Sequence, residues 1–162
     1  MRHTISVLVE NKFGVLARVA GLFSGRGYNI ESLSVAPTVD PEISHMTIVT
    51  RGDDRVIEQV TKQLNKLVDV IKVSDLVNKS YVEREMVLIK VAAEDEKRSE
   101  VLRVVDIFRG RIIDMSTKGF IVEVTGTEEK INALLTLLKP LGLKEIARTG
   151  FVAMVRTDQT QK

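Results

Sequence analysis

The strongest constraint on this chain is an alternation of apolar residues that changes period on schedule and then starts again near residue 80. Ile5, Val7 and Val9 alternate with Thr4, Ser6 and Leu8, the period of two that marks a strand. Val15, Leu16, Val19, Ala20, Leu22 and Phe23 recur at helical spacing, and Ser24-Gly25-Arg26-Gly27 stops that helix. Ile30 to Ala36 reads as a second strand, broken by Pro37 and Pro41, and Ile43 to Thr50 as its partner, closed by Arg51-Gly52. Asp53 is a good N-cap for a helix with Val56, Ile57, Val60, Leu64 and Leu67 on one face. Val70 to Leu76 completes a βαββαβ order.

The second half repeats this order. Glu85 to Ala92 reads as a strand, and Glu96 to Phe108 as a helix burying Val101, Leu102, Val105 and Phe108. Arg111 to Met115 and Phe120 to Thr125 form a hairpin with Lys118-Gly119 near its turn. Thr127 caps a helix bearing Ile131, Leu134, Leu135 and Leu138, ended by Pro140 and Gly142. Leu143 to Arg156 is one strand or two, with Gly150 the point of interruption, and the polar tail from Thr157 to Lys162 is expected to fray. The expected fold class is α+β: two tandem ferredoxin-like βαββαβ modules, residues 1–78 and 79–162, each with four antiparallel strands and two helices on one face. The opposite face must be polar or covered, and in the first module it holds Ser6, Leu8, Ser32 and Ser34. Modules of about 75 residues bury modest cores, so at least a dimer is expected.

Composition narrows the function. The 162 residues are 44% hydrophobic and 28% charged, as in a packed globule rather than a disordered chain. No apolar run approaches the roughly 18 residues of a membrane span. Alternation begins at once after Met1, leaving no room for a signal peptide, so a cytoplasmic location is expected. The absence of cysteine removes disulfides, thiol catalysis and Cys-based zinc sites. Residues 1–80 hold 10 basic and 9 acidic side chains and the remainder 14 and 13, so neither half carries the field that nucleic acid or an anionic membrane demands.

Two turns hold the candidate chemistry. Asn11-Lys12-Phe13-Gly14 lies between a strand and a helix start, where unpaired backbone N–H groups and the positive dipole end suit a carboxylate or phosphate. Gly14 lets a small ligand approach the backbone and Asn11 offers a donor and an acceptor; the plainer alternative is that Gly14 eases a turn and Asn11 caps the helix. In Arg26-Gly27-Tyr28-Asn29, Gly27 takes a left-handed helix-ending conformation and Asn29 starts the next strand, or else Asn29 grips a ligand across an interface. Catalytic readings are weaker. His3 and His45 both fall on strands, are a poor metal set without cysteine, and no acid or nucleophile is placed for a triad, so His45 reads as a solvated strand histidine. Gly25-x-Gly27 lacks the Lys-Ser/Thr of a P-loop. A phosphatase of the acylphosphatase type would want an arginine in the first loop, which holds only Lys12. RNA recognition on this fold needs aromatics on the central strands, and Thr4–Leu8 and Ser44–Ile48 contain none.

The stretch ENKFGVLARVAGLFSGRGYNIESL, from Glu10 to Leu33, resembles an ACT domain and, more narrowly, the small regulatory subunits of acetolactate synthase (acetohydroxyacid synthase). Val35-Ala36-Pro37-Thr38, Met46-Thr47-Ile48 and the segment from Lys62 to Val70 support it, as do Val82-Glu83-Arg84-Glu85 and Phe108 to Asp114 in the second half. The resemblance covers residues 2–156. It implies a non-catalytic chain that binds a large catalytic subunit, raises its activity and confers feedback inhibition by valine. Thiamine diphosphate, magnesium and FAD would belong to that catalytic subunit, with no cofactor in this chain.

By the same resemblance, ACT domains pair side by side as a homodimer with the effector between them. Asn11, Gly14, Val15 and Leu16 would line the first loop, and Asn29 and Ile30 would come from the neighbouring protomer. Backbone N–H groups of Gly14, Val15 and Leu16 would serve the effector's carboxylate, the Asn29 amide oxygen its ammonium, and Val15, Leu16 and Ile30 its side chain. A methylene is worth only about 1–3 kcal/mol in such a pocket, so leucine and isoleucine should cross-react. His45 departs from the arginine common in the family. The second half is the expected docking module, and the alternative function is an ACT-type sensor serving a different enzyme.

Overall fold

Each period read above becomes an element of the expected type. The computed structural model describes residues 1–92 and 94–157. The first unit runs β1 (Arg2–Glu10), α1 (Val15–Ser24), β2 (Ile30–Pro37), β3 (Ile43–Arg51), α2 (Asp54–Leu64) and β4 (Val70–Asp75). Its antiparallel sheet has the order β2-β3-β1-β4. Ile5, Val7 and Val9 from β1 and Met46 and Ile48 from β3 meet Val15, Val19 and Phe23 of α1 and Ile57, Val60 and Leu64 of α2 in one core. The Asp53 side chain accepts from the Arg55 N–H at 2.8 Å, as an N-cap should. Helix α2 stops at Leu64, so Leu67 sits in the following turn, yet it still packs against this core.

The second unit repeats the plan with β5 (Tyr81–Ala92), α3 (Asp95–Ile107), β6 (Arg111–Ser116), β7 (Gly119–Gly126), α4 (Glu128–Leu138), a single 3-10 turn (Lys139–Leu141) and β8 (Leu143–Arg148). Its strands follow the order β6-β7-β5-β8, and a fifth strand near the C-terminus also pairs with β5. Val87, Ile89 and Val91 alternate inward from β5 against Val101, Val105, Ile131, Leu134 and Leu138. The repetition extends to irregularities. The bulge before Val9 recurs before Val91, and that after Ile30 recurs after Ile112, each pair 82 residues apart. Gly27 (φ 72°) and Arg109 (φ 54°), also 82 residues apart, both adopt the left-handed conformation that ends a helix.

The C-terminal end departs from expectation. Leu143 to Arg156 forms two strands, β8 and β9 (Val152–Val155), separated at Gly150 with φ 79°. The second unit closes at Gly150, and residues 151–157 belong with Met1–Val82 instead of extending the second module. The reason is a set of hydroxyls on the face of the first sheet away from its helices. The Phe151 N–H donates to Ser32 Oγ at 3.0 Å and the Ala153 N–H to Thr47 Oγ1 at 3.3 Å. Arg2 lies over the Phe151 ring, 5.0 Å from its centroid, and Arg156 N–H donates to the Ser80 carbonyl. Phe151, Ala153, Thr47 and Val49 are all buried. The chain thus covers part of the face that the sequence left to solvent or a partner. The expected fraying at residues 158–162 lies outside the described residues. Among the described residues, no helix is long and apolar enough to cross a membrane.

Candidate functional site

The loop from Asn11 to Gly14 ends β1 and starts α1, and its geometry leaves donors free. Gly14 occupies the N-cap in the left-handed region (φ 80°), a conformation that favours glycine, and no side chain caps the helix. Asn11 therefore does not cap α1. Its Nδ2 donates to the Pro41 carbonyl at 2.9 Å and its backbone N–H to that of Glu42, pinning the loop to the β2–β3 connection. The Val15 N–H reaches the Lys12 carbonyl at 3.5 Å, whereas those of Gly14, Leu16 and Ala17 find no acceptor among the described residues. The first turn of α1 carries no acidic residue; those of α2, α3 and α4 all do. Such an N-terminus can hold a carboxylate or phosphate.

The side chains divide differently from expectation. Val15 is 3% exposed and belongs to the core, so it offers a ligand only its main chain. Leu16 is 43% exposed and Phe13 wholly so. Lys12 is committed to Glu10 at 2.7 Å, and that carboxylate's hydrogen bond and charge hold the ammonium above the ordinary lysine range. Asn29 is exposed; its carbonyl accepts from Thr50 Oγ1 at 2.7 Å while its amide has no partner among the described residues. Ile30 packs partly against the core. Gly27 has its expected left-handed conformation.

Within one chain, Asn29 and Ile30 do not meet the first loop. They follow the far end of α1, whose 10 residues span about 15 Å, more than a free amino acid bridges. β2, which begins at Ile30, is an edge strand with Val35 42% exposed. Two residues that the sequence passed over complete the loop's surroundings. Arg18 Nη2 donates to Asp69 Oδ2, and a methyl added to Gly14 would stand 3.0 Å from Arg18 Nη1. The legible signal was a basic residue in the second turn of a helix whose first turn lacks an acid.

Neither histidine is a freely solvated strand residue. His3 is buried, with Asp75 Oδ2 2.8 Å from Nδ1 and Asp54 Oδ1 3.1 Å from Nε2. His45 is half-buried beside Ser6 Oγ, at 2.8 Å from Nε2, and desolvation pushes its imidazole below the ordinary histidine range. The unfolded chain therefore takes up this proton at higher pH than the folded one. Stability contributed by neutral His45 is present above about pH 6.5 and is lost as pH falls from there through the folded-state value. Between about pH 7.5 and 5.5, the melting temperature of His45→Gln should fall less than that of the parent; equal slopes would assign the titration to another group.

A ferredoxin-like module with an open helix start, followed by a second copy of the same topology, fits the ACT-type class that the sequence resembles. Residues 5–72 match the model of the acetohydroxyacid synthase small-subunit-like ACT domain, and residues 84–157 match that of the small subunit of acetolactate synthase. A protein from Archaeoglobus fulgidus named as a probable acetolactate synthase small subunit is 60% identical over 156 residues, covering 96% of this chain and 98% of its own. The acetolactate synthase isozyme 3 small subunit of Escherichia coli is 50% identical over the full length of both. The crystal structure of the Thermotoga maritima acetolactate synthase small subunit superposes with a TM-score of 0.89 at 46% identity, covering 98% of this chain and 99% of that one. The chain belongs to the family of acetolactate synthase small subunits, regulatory chains with an ACT domain in branched-chain amino acid biosynthesis. Membership implies a catalytic large subunit as partner.

Proposed function

We propose that this chain is a non-catalytic, cytoplasmic subunit that senses valine and passes its level to the catalytic subunit of acetolactate synthase, raising activity when free and inhibiting when bound. The observation that carries the reading is the unsatisfied start of α1, with free amides at Gly14, Leu16 and Ala17 behind a left-handed glycine. These donors suit the carboxylate of a free amino acid. The amide of Asn29, exposed and some 15 Å away along α1, supports a site completed by a second copy whose β2 edge lies alongside. Thiamine diphosphate, magnesium and FAD belong to the partner. Valine must favour one of two states of the complex, with a coupling of about 1–3 kcal/mol for the binding equilibria. The second unit is the proposed docking module.

A thermal-melt panel of the full chain against the common amino acids tests this. A ligand at a hundred times its dissociation constant stabilises by about 2.7 kcal/mol, several degrees for a domain of this size. Valine should give the largest shift, leucine and isoleucine smaller ones, and serine and phenylalanine none. A panel that stays flat both alone and with the catalytic subunit present would sink the sensor reading.

A further inference from the structure

Arg18 folds back towards the start of its own helix. Side chains of a helix point towards its N-terminus, so a residue at the fourth helical position can lay a long side chain over the N-cap. The Gly14 position makes this concrete: an added methyl would lie 3.0 Å from Arg18 Nη1 and 3.8 Å from Cζ. The guanidinium thus lies against Gly14, at a helix start where the amides of Gly14, Leu16 and Ala17 are free. A cation there is opposed by the helix dipole, since the N-terminal end is already positive. Asp69 compensates from one side only, receiving Nη2. Nη1 has no acceptor among the described residues. Asp69 is itself anchored, its carbonyl taking the Glu10 N–H at 2.8 Å as β1 ends, and its side chain is only 18% exposed.

We propose that Arg18 is a binding residue for the effector's carboxylate, with Nη1 and the free amides receiving the ligand while Asp69 holds Nη2 in place. This inference rests on the sensor reading and adds to it the group that selects for charge. A planar guanidinium offers paired donors that match a carboxylate, and bonds of this kind are stronger than those from neutral amides alone. Asp69 is then a positioning residue. The arrangement also gives Gly14 a second duty, because any side chain at that position presses on the guanidinium.

The test compares valine with valinamide, which keeps the ammonium and isopropyl groups and loses the charge, by calorimetric titration of the full chain. In the parent, valine should bind tighter than valinamide. In Arg18→Gln the valine-to-valinamide ratio should fall roughly ten- to hundredfold, the worth of a bond between charged groups. Asp69→Asn, which loosens the guanidinium without removing it, should weaken valine more than valinamide and lower the ratio part of the way. A ratio in Arg18→Gln within about twofold of the parent, with both ligands weakened alike or neither weakened, overturns the proposal and leaves Arg18 a purely structural tie. If the parent binds neither valine, leucine nor isoleucine, alone or with the catalytic subunit, the sensor reading itself fails and this inference falls with it.

Discussion

Gly14→Asp should raise the valine concentration for half-inhibition of the reconstituted complex at least about a hundredfold, because it sets a permanent carboxylate where the ligand's would lie. The backbone change is small by comparison. Aspartate tolerates the left-handed region better than most residues, and the cost of leaving glycine there is about 1–2 kcal/mol. The built-in carboxylate faces Arg18 Nη1, so it also satisfies the cation that the helix start otherwise leaves half-paired. Gly14→Ala separates charge from strain. It keeps the φ of 80° and presses on Arg18, yet brings no negative charge, so its loss of valine response should be clearly smaller. Enzyme assays across a valine series, with melting curves confirming that both variants fold, decide the matter. Equal losses in the two variants would mean that backbone shape alone governs the response.

Phe151→Ala should cost the first unit about 3 kcal/mol, although residue 151 lies beyond the entire second unit in sequence. The ring is 6% exposed and lies under Arg2, so its loss removes buried area and a cation–π contact together. The readout is amide exchange. Protection should fall in β1 and β3, whose outer face β9 covers, and loss confined to β6, β7 and α4 would place the ring's contribution elsewhere.

Most of the architecture was legible because it is written in periodicity and caps. Asp53 and Thr127 both accept a backbone N–H at the helix starts assigned to them, and Ile5, Val7, Val9 and Val87, Ile89, Val91 all point inward. What escaped depends on residues far apart in sequence. Ser32 and Thr47 look like ordinary solvent-facing hydroxyls, and only the folded chain reveals that they receive the N–H groups of Phe151 and Ala153. At the candidate site, the loop, its glycine and the free amides of Gly14 and Leu16 match the expectation, but Val15 does not: its amide reaches the Lys12 carbonyl, its side chain lies in the core, and Ala17 supplies the third free amide. Arg18 escaped for a related reason. An exposed arginine on a helix reads as a solvated charge until its direction and its Asp69 partner are known.

The two units share a topology but differ at the start of their first helix. In the second, β5 ends at Ala92 and α3 begins at Asp95, a shorter connection than the four residues that separate β1 from α1. Its first turn carries Asp95 and Glu96, which satisfy the positive helix end and repel a second anion. Among the described residues, α1, which starts behind Gly14, is the one α-helix whose first turn carries no acidic residue.

The placement of β9, which pairs with β5 and lies on the face of the first sheet, separates the order of synthesis from the order in which contacts can form. Strands β1 to β4 leave the ribosome early, but the residues that bury Val49 and Thr47 are translated only after the whole second unit. At about 5–20 residues per second, the roughly 75 residues between Leu76 and Phe151 impose a delay of roughly 4 to 15 seconds. During that interval the nascent first unit presents an apolar and hydroxyl-lined face to the cell. Hydrogen bonds that join Ser32 and Thr47 to residues 119 and 106 positions later give this small protein a higher contact order than its tandem plan suggests.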